Sequence, residues 1–167
     1  VIPHVIADHE SILHESLQRS TDVPVHSIQD GMRVEPNQVY VLPAGYDVQI
    51  KDQHLTLSKR KPHLGWPRTI DNFLLSLAED KGDLAGAVIF SGAGTDGLEG
   101  SQAIKKKGGL VIAQNIASAK QQGMPVSIIQ AGLASAILNP EHMPQFLQNY
   151  YHIISEDARL DDLMDRI

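Results

Sequence analysis

The chain has 167 residues, of which 42% are apolar and 20% charged, a composition typical of one globular domain and not of a disordered segment. Its 20 acidic and 14 basic side chains give a formal net charge of −6 and are scattered along the sequence, which argues against nucleic acid as a partner. Cysteine is absent, which excludes disulfide scaffolds, thiolate zinc sites and cysteine nucleophiles.

The first part of the chain predicts a short strand, a helix and an antiparallel hairpin. Val1–Ile2 is apolar and precedes a helical pattern over His9–Arg19. Between residues 34 and 58 the pattern changes to alternation, which predicts a turn at Lys51–His54 and strands at Val39–Leu42, Asp47–Ile50 and Leu55–Leu57. We interpret this stretch as an antiparallel hairpin inserted on a parallel sheet. An irregular loop is predicted over Lys59–Pro67.

The second part predicts alternating strands and helices. Helical spacing over Ile70–Glu79 is followed by buried-type strands at Ala85–Phe90 and Leu110–Ala113. Further helices are predicted at Leu98–Lys107, Ser118–Gln130 and Pro140–Tyr151. This βαβ order predicts an α/β fold: a doubly wound, mostly parallel sheet with flanking helices, of a modified Rossmann-like kind.

The C-terminal tail differs in composition from the rest. Ser155–Ile167 is acidic, yet its apolar side chains recur at helical spacing. We therefore predict a domain over residues 1–150 and an acidic helix or linker over 151–167, with a terminal helix packed on its own domain and a linker to a following domain as equal alternatives.

The sequence carries no signal of membrane insertion. No apolar run approaches the roughly 20 residues that span a bilayer, and no charged and apolar leader precedes Val1. We expect a cytoplasmic protein. Because the chain begins with Val1 and not with methionine, we also expect it to be a piece of a longer protein.

A glycine-rich turn follows the strand Ala85–Phe90. Gly92, Gly94 and Gly97 match the G-x-G-x-x-G pattern of dinucleotide-binding proteins, in a strand, turn and helix context. That pattern expects an acidic residue at the end of the next strand, where this chain has Gln114 instead, and Asp96 would repel a pyrophosphate. Nucleotide binding therefore stays a lesser alternative, and stabilisation of an oxyanion is the other use of such a turn.

Asp96 and His4 are the candidate catalytic pair. Both are expected at the carboxyl edge of the sheet, where a carboxylate can accept a proton from an imidazole nitrogen. The alternative for Asp96 is a helix cap. His9 and His14 are five residues apart and point about 140° apart on a helix, so they cannot chelate one ion, and we expect no metal site.

Several motifs together resemble one enzyme family. They run in order from Val1-Ile2-Pro3-His4 through Asp30-Gly31-Met32, Asn37-Gln38-Val39-Tyr40-Val41, Ile70-Asp71-Asn72-Phe73, Ser91-Gly92-Ala93-Gly94-Thr95-Asp96-Gly97 and Gly123-Met124-Pro125. Over roughly residues 1 to 150 this order is similar to the catalytic domain of CheB-type chemotaxis protein-glutamate methylesterases. It most resembles the variety that is fused to a CheR-type methyltransferase.

The resemblance implies a serine hydrolase that removes methyl groups from glutamyl methyl esters on the cytoplasmic domain of chemoreceptors and, in some members, deamidates glutamine. It implies that His4 is the general base and Asp96 the triad carboxylate, with no metal or organic cofactor. The turn formed by Gly92, Ala93 and Gly94 would lie beside the oxyanion. Position 93 is usually Met in the standalone enzymes. Met124 would line the pocket or pack behind it, and Asp71 would organise a helix start.

The family's nucleophilic serine is not in this chain. It lies in a Gly-x-Ser-x-Gly-Gly turn one βα unit before the histidine, and no Gly-x-Ser-x-Gly occurs in the 167 residues. We therefore expect the chain alone to be close to inactive, with a sheet edge exposed that favours self-association. A non-catalytic module of the same fold that binds a partner is the second alternative.

Overall fold

The computed structural model describes residues 1–3, 13–60 and 68–164, with side chains described as far as Glu156. Its helices are α1 (Leu13–Gln18), α2 (Thr69–Lys81), α3 (Leu98–Lys106), α4 (Gly123–Gln130) and α5 (Met143–Met164). Its strands are β1 (Val25–Ser27), β2 (Met32–Arg33), β3 (Val39–Val41), β4 (Tyr46–Lys51), β5 (His54–Lys59), β6 (Gly86–Ile89), β7 (Leu110–Gln114) and β8 (Ala136–Leu138). Short 3₁₀ turns lie at Gly82–Leu84, Ile116–Ser118 and Pro140–His142. None of the described helices is long and apolar enough to cross a membrane.

Two sets of parallel strands form the α/β part of the fold. Strands β6, β7 and β8 pair in that order, and all five residues of the central strand β7 are buried. Strand β3 pairs with β1 on one side, and on the other side Leu42 donates a backbone hydrogen bond of 3.0 Å to the carbonyl of Val1. The N-terminal ammonium of Val1 donates in turn to Tyr40, so the predicted Val1–Ile2 segment runs along β3. The predicted α/β architecture, with parallel strands and flanking helices, is confirmed.

The predicted hairpin is also present. Strands β4 and β5 pair antiparallel with Ile50 opposite Leu55, and β2 joins the other edge of β5. The turn between them has positive φ angles at Asp52 (49°) and Gln53 (65°), as a type I′ turn requires.

One part of the hairpin prediction is wrong. The segment Val39–Leu42 belongs to the parallel pair β1–β3 and not to the antiparallel insert. Pro43 has no N–H to donate and Gly45 turns the chain with a φ of 79°, so the alternating pattern is interrupted before β4 begins.

Helix α2 joins the two halves of the core. Its Ile70, Leu74 and Ala78 share one face and pack with the buried side chains of β6 and β7. Its Phe73 and Leu77 contact that cluster as well as the second one, which is formed under the hairpin by Val48, Ile50 and Leu55. A third cluster lies under α5, where Met143 packs on β7.

The helix predicted at Ser118–Gln130 starts five residues later, at Gly123. Pro125 explains the difference, because proline fits the first turn of a helix but breaks the interior. The short strands β1, β2 and β8 were not predicted. The predicted helices at Ile70–Glu79 and Leu98–Lys107 are confirmed within one or two residues. Helix α5 runs without a break from Met143 to Met164.

Parts of other predictions lie outside the described residues. These are the first half of the predicted helix His9–Arg19, the loop around Trp66, and the end of the tail beyond Met164.

Candidate active site

Asp96 is a buried carboxylate at the carboxyl edge of the β6–β7–β8 sheet. It lies between β6 and α3, and 7% of it is exposed. Its Oδ2 accepts a hydrogen bond of 3.1 Å from the backbone N–H of Ile70, and its Oδ1 accepts one of 2.9 Å from that of Asp71. Both amides belong to the first turn of α2, whose positive dipole end stabilises the ionised carboxylate. Asp96 therefore caps the N-terminus of α2, although the helix that follows it in the chain is α3.

Asp71 caps helix α3 in return. Its Oδ1 accepts a hydrogen bond of 2.8 Å from the N–H of Gly100, in the first turn of α3. The residues at the two cap positions, Arg68 and Gly97, make no side-chain cap of their own. Each helix start thus depends on a carboxylate from the other segment. Asp71 thus has the predicted structural role at a helix start. That helix is α3, whose Gly100 lies 29 residues further along the chain.

The surroundings of Asp71 are crowded with charge. Arg68 Nη2 lies 3.6 Å from Asp71 Oδ2 and also pairs with Glu99 on α3. Burial raises the pKa of Asp71, the N–H of Gly100 lowers it, and the negative charge of Asp96 raises it further. Two carboxylates therefore share one buried location, an arrangement that is common at functional sites.

The glycine turn packs on the start of α4. Gly92 donates its N–H to the carbonyl of Gln121 at 3.0 Å, and its own carbonyl accepts the N–H of Met124 at 2.9 Å. A Cβ at Gly92 would lie 2.2 Å from Met124 Sδ, and a Cβ at Gly123 would lie 2.8 Å from backbone atoms of Gly94. These approaches require glycine, and they fix the turn against the buried Met124.

The backbone N–H groups of the turn differ in their partners. Because Gly92 uses its N–H on Gln121, it is the less suited of the predicted residues to bind an oxyanion. Ala93 and Gly94 follow in exposed positions, and among the described residues no acceptor takes their N–H groups. Gly94 has a φ of 78°, in the left-handed region that glycine adopts without strain.

The side chain of Gln114 holds the glycine turn in place through hydrogen bonds, and we did not predict this role. This buried side chain at the end of β7 accepts the N–H of Ser91 at 2.8 Å and donates to the carbonyl and hydroxyl of Ser118, both at 3.1 Å. The Ser91 hydroxyl accepts the N–H of Gln121 at 2.9 Å. Ser91 is thus part of the framework of the turn. The signal available in the sequence was a polar glutamine at the end of an apolar strand.

His4, the predicted partner of Asp96, lies outside the described residues. Val1, three residues before it, hydrogen-bonds to Tyr40 and Leu42 beside β3, and Ile2 packs against the same core cluster as Ile70 and Ile89. Within the parts of the chain that the structure describes, no group of three or more histidine and acidic side chains could hold a metal ion.

The fold and site together define an α/β domain with a buried carboxylate and a glycine turn at the carboxyl edge of a parallel sheet. The model of the CheB methylesterase family matches residues 1–147. The crystal structure of the Thermotoga maritima CheB methylesterase catalytic domain superposes with a TM-score of 0.80 at 28% identity, over 88% of this chain and 80% of that one. The chain belongs to the CheB methylesterase family.

Curated relatives agree with this assignment. A protein-glutamate methylesterase/protein-glutamine glutaminase of Paramagnetospirillum magneticum is 33% identical over 89% of this chain and 40% of its own length. Another, of Nitratidesulfovibrio vulgaris, is 32% identical over 76% of this chain and 36% of its own length. An uncharacterised 104.1 kDa protein of Rhodobacter capsulatus is 34% identical over 80% of this chain, which spans 14% of that protein. The chain thus spans well under half the length of these relatives.

Proposed function

We propose that this chain contributes to a protein-glutamate methylesterase that hydrolyses glutamyl methyl esters through a serine, His4 and Asp96. The observation that carries the proposal is the buried Asp96 carboxylate, oriented by two backbone N–H groups beside the glycine turn. Membership in the CheB methylesterase family supports the substrate class, as do the names of the relatives.

In the proposed mechanism His4 takes the proton of a serine hydroxyl as the serine oxygen attacks the ester carbonyl. Asp96 holds the imidazole in the correct tautomer and stabilises its protonated form. A carboxylate oxygen can accept two hydrogen bonds, so the two amides of α2 do not use the full capacity of the Asp96 carboxylate. Methoxide leaves with the proton from His4 as methanol, and water then cleaves the acyl-enzyme to give glutamate. With glutamine as substrate, ammonia leaves instead of methanol.

The oxyanion of the tetrahedral intermediate is assigned to the turn after β6. We propose the N–H groups of Ala93 and Gly94 as its donors, with Gly92 as the residue that fixes the turn. Met124 is assigned to packing behind the turn, since its side chain belongs to the buried core and lies against Gly92. Two well-placed amides can contribute several kcal/mol, since removing one such donor costs about 3 kcal/mol in other hydrolases.

The proposed partner is the methylated cytoplasmic domain of a chemoreceptor. A CheR-type methyltransferase, fused or associated, is the second proposed partner. The occurrence of this type of domain within a 104.1 kDa relative is compatible with fusion to other domains.

The nucleophilic serine is proposed to come from polypeptide outside these 167 residues, since Gly-x-Ser-x-Gly does not occur within them. The test is to determine the sequence that precedes Val1 and to measure methanol release from a methylated receptor. We expect a Gly-x-Ser-x-Gly-Gly turn upstream, activity in the full-length protein, and its loss when that serine is replaced by alanine.

The missing motif also favours a second candidate, a partner-binding module without catalysis. If the gene encodes no such serine and the full-length protein releases no methanol, the esterase proposal is overturned and the binding module replaces it. Nucleotide binding by Gly92–Gly97 is less well supported, because Asp71 and Asp96 place two carboxylates at the start of α3. A thermal shift on addition of NAD or ATP would support it.

A further inference from the structure

Two carboxylates that repel each other are buried together at the start of α2 and α3. Asp71 is 4% exposed and Asp96 is 7% exposed. The backbone N–H of Asp71 binds Asp96, while its side chain binds Gly100 four residues beyond Asp96. Asp71 therefore contacts the segment of Asp96 at two points, one through its main chain and one through its side chain.

The position of the Asp96 carboxylate depends on where α2 begins relative to α3. The hydrogen bond between Asp71 and Gly100 sets that relation, and the two helices also approach closely at Gly100, where an added Cβ would lie 2.4 Å from Leu74 Cβ. Loss of this bond would let the first turn of α2 shift against the loop that carries Asp96. The two amides that orient the Asp96 carboxylate would shift with it.

We propose that Asp71 is a positioning residue for the Asp96–His4 pair. It fixes the Asp96 carboxylate and adds a second negative charge behind that carboxylate. The inference rests on the proposed function. The charged groups that face Asp71 are Arg68 on its own helix, Asp96 on the preceding loop and Glu99 on α3. Arg68 and Glu99 are more than half exposed, so solvent screens them, whereas the charges of Asp71 and Asp96 act through a buried region.

A carboxylate near an imidazole favours the protonated ring and raises its pKa. Removing the charge of Asp71 should therefore lower the pKa of His4. Asp71→Asn keeps an oxygen for the N–H of Gly100 and removes only the charge, whereas Asp71→Ala removes both. A role limited to capping α3 would reduce stability and would leave the pKa of His4 unchanged.

The experiment is an NMR titration of the histidine imidazoles in the 167-residue chain, with the His4 signal assigned by its loss in His4→Gln. We expect Asp96→Asn to lower the pKa of His4 by about one unit and Asp71→Asn to lower it by about half a unit. Glu99→Gln, a nearby exposed carboxylate, is the matched control and should shift it by less than about 0.2 units. Arg68→Gln removes the other exposed charge beside Asp71; it is a second control and should also shift the pKa of His4 by less than about 0.2 units.

The outcomes separate the two proposals. If Asp96→Asn lowers the pKa of His4 while Asp71→Asn and Asp71→Ala leave it unchanged, the role of Asp71 is overturned and the catalytic pair stands. If Asp96→Asn also leaves it unchanged, the pair itself is overturned, and with it the role of Asp71. Asp71→Ala is interpreted only if its amide spectrum shows a folded chain; if it does not, Asp71→Asn, which keeps an oxygen for the N–H of Gly100, supplies the answer.

Discussion

At the scale of single residues, the site depends on contacts that only particular side chains allow. Asp96 can be buried as a carboxylate because two helix amides bind it. Gly92 can approach Met124 because it has no Cβ. The sequence singles out both positions, since they stand in a glycine-rich turn after a strand, and their roles in catalysis stay predictions. Their partners were not predicted, because Ile70 and Asp71 come 26 and 25 residues earlier and only the fold brings them together.

Gly92→Ala tests the packing of the turn. The new Cβ would collide with Met124 Sδ, and we expect the free energy of unfolding to fall by about 1–3 kcal/mol, the usual cost of overpacking. Met124→Ala in the same chain should relieve the collision, so that the double variant loses less than the sum of the two single variants. Urea unfolding of the four proteins measures this coupling, and strict additivity would show that Gly92 and Met124 do not interact.

At the scale of the elements, the helices and the hairpin were predicted well and the short strands poorly. Helix α2 has apolar side chains at helical spacing, and the hairpin has alternating ones, so the sequence alone indicates both. Strands β1 and β8 have three residues each, too few for a pattern to be distinct. The pairing of β3 with β1 was missed because strand partners are set by long-range packing and not by the local pattern.

The end of α2 is joined to the turn of the β4–β5 hairpin by Asp80. Its carboxylate lies 3.1 Å from the Lys81 ammonium, and 7% of the side chain is exposed. Burial raises the pKa of Asp80, but the hydrogen bond from Lys81 and the backbone N–H groups of Asp52 and Gln53 outweigh it, so that the pKa falls below its ordinary value of 3.8.

Because the folded-state pKa of Asp80 is lowered, its contribution to stability is present above the unfolded-state pKa and is lost as the pH falls through the folded-state value. We expect Asp80→Asn to be less stable than the parent chain at neutral pH, with the difference shrinking on acidification below about pH 4. Lys81→Met removes the ammonium that pairs with Asp80 and should cause part of the same loss of stability. Urea unfolding between neutral and acidic pH measures it, and a difference that does not vary with pH would argue against the assignment.

At the scale of the whole molecule, we predict association between copies at the β6 edge of the sheet. Strand β6 pairs with β7 on one side, and among the described strands it has no partner on the other. Phe90, which follows β6, is 51% exposed. Apolar surface next to unpaired backbone groups favours pairing with another chain.

We expect the 167-residue chain to associate as its concentration rises, and Phe90→Lys to reduce the association. Size-exclusion chromatography with light scattering measures the mass directly. A monomer at every concentration, for the parent chain as for the variant, would show that the edge does not bind a second copy.

Asp96 is proposed to serve a histidine in ester hydrolysis. The most direct test is the rate of methanol release from a methylated chemoreceptor by the full-length protein carrying Asp96→Asn, compared with the parent protein. The amide keeps the size of the side chain but cannot stabilise a protonated imidazole, so we predict a kcat about 10³- to 10⁴-fold lower in a protein that remains folded. A kcat within about tenfold of the parent value would contradict the claim.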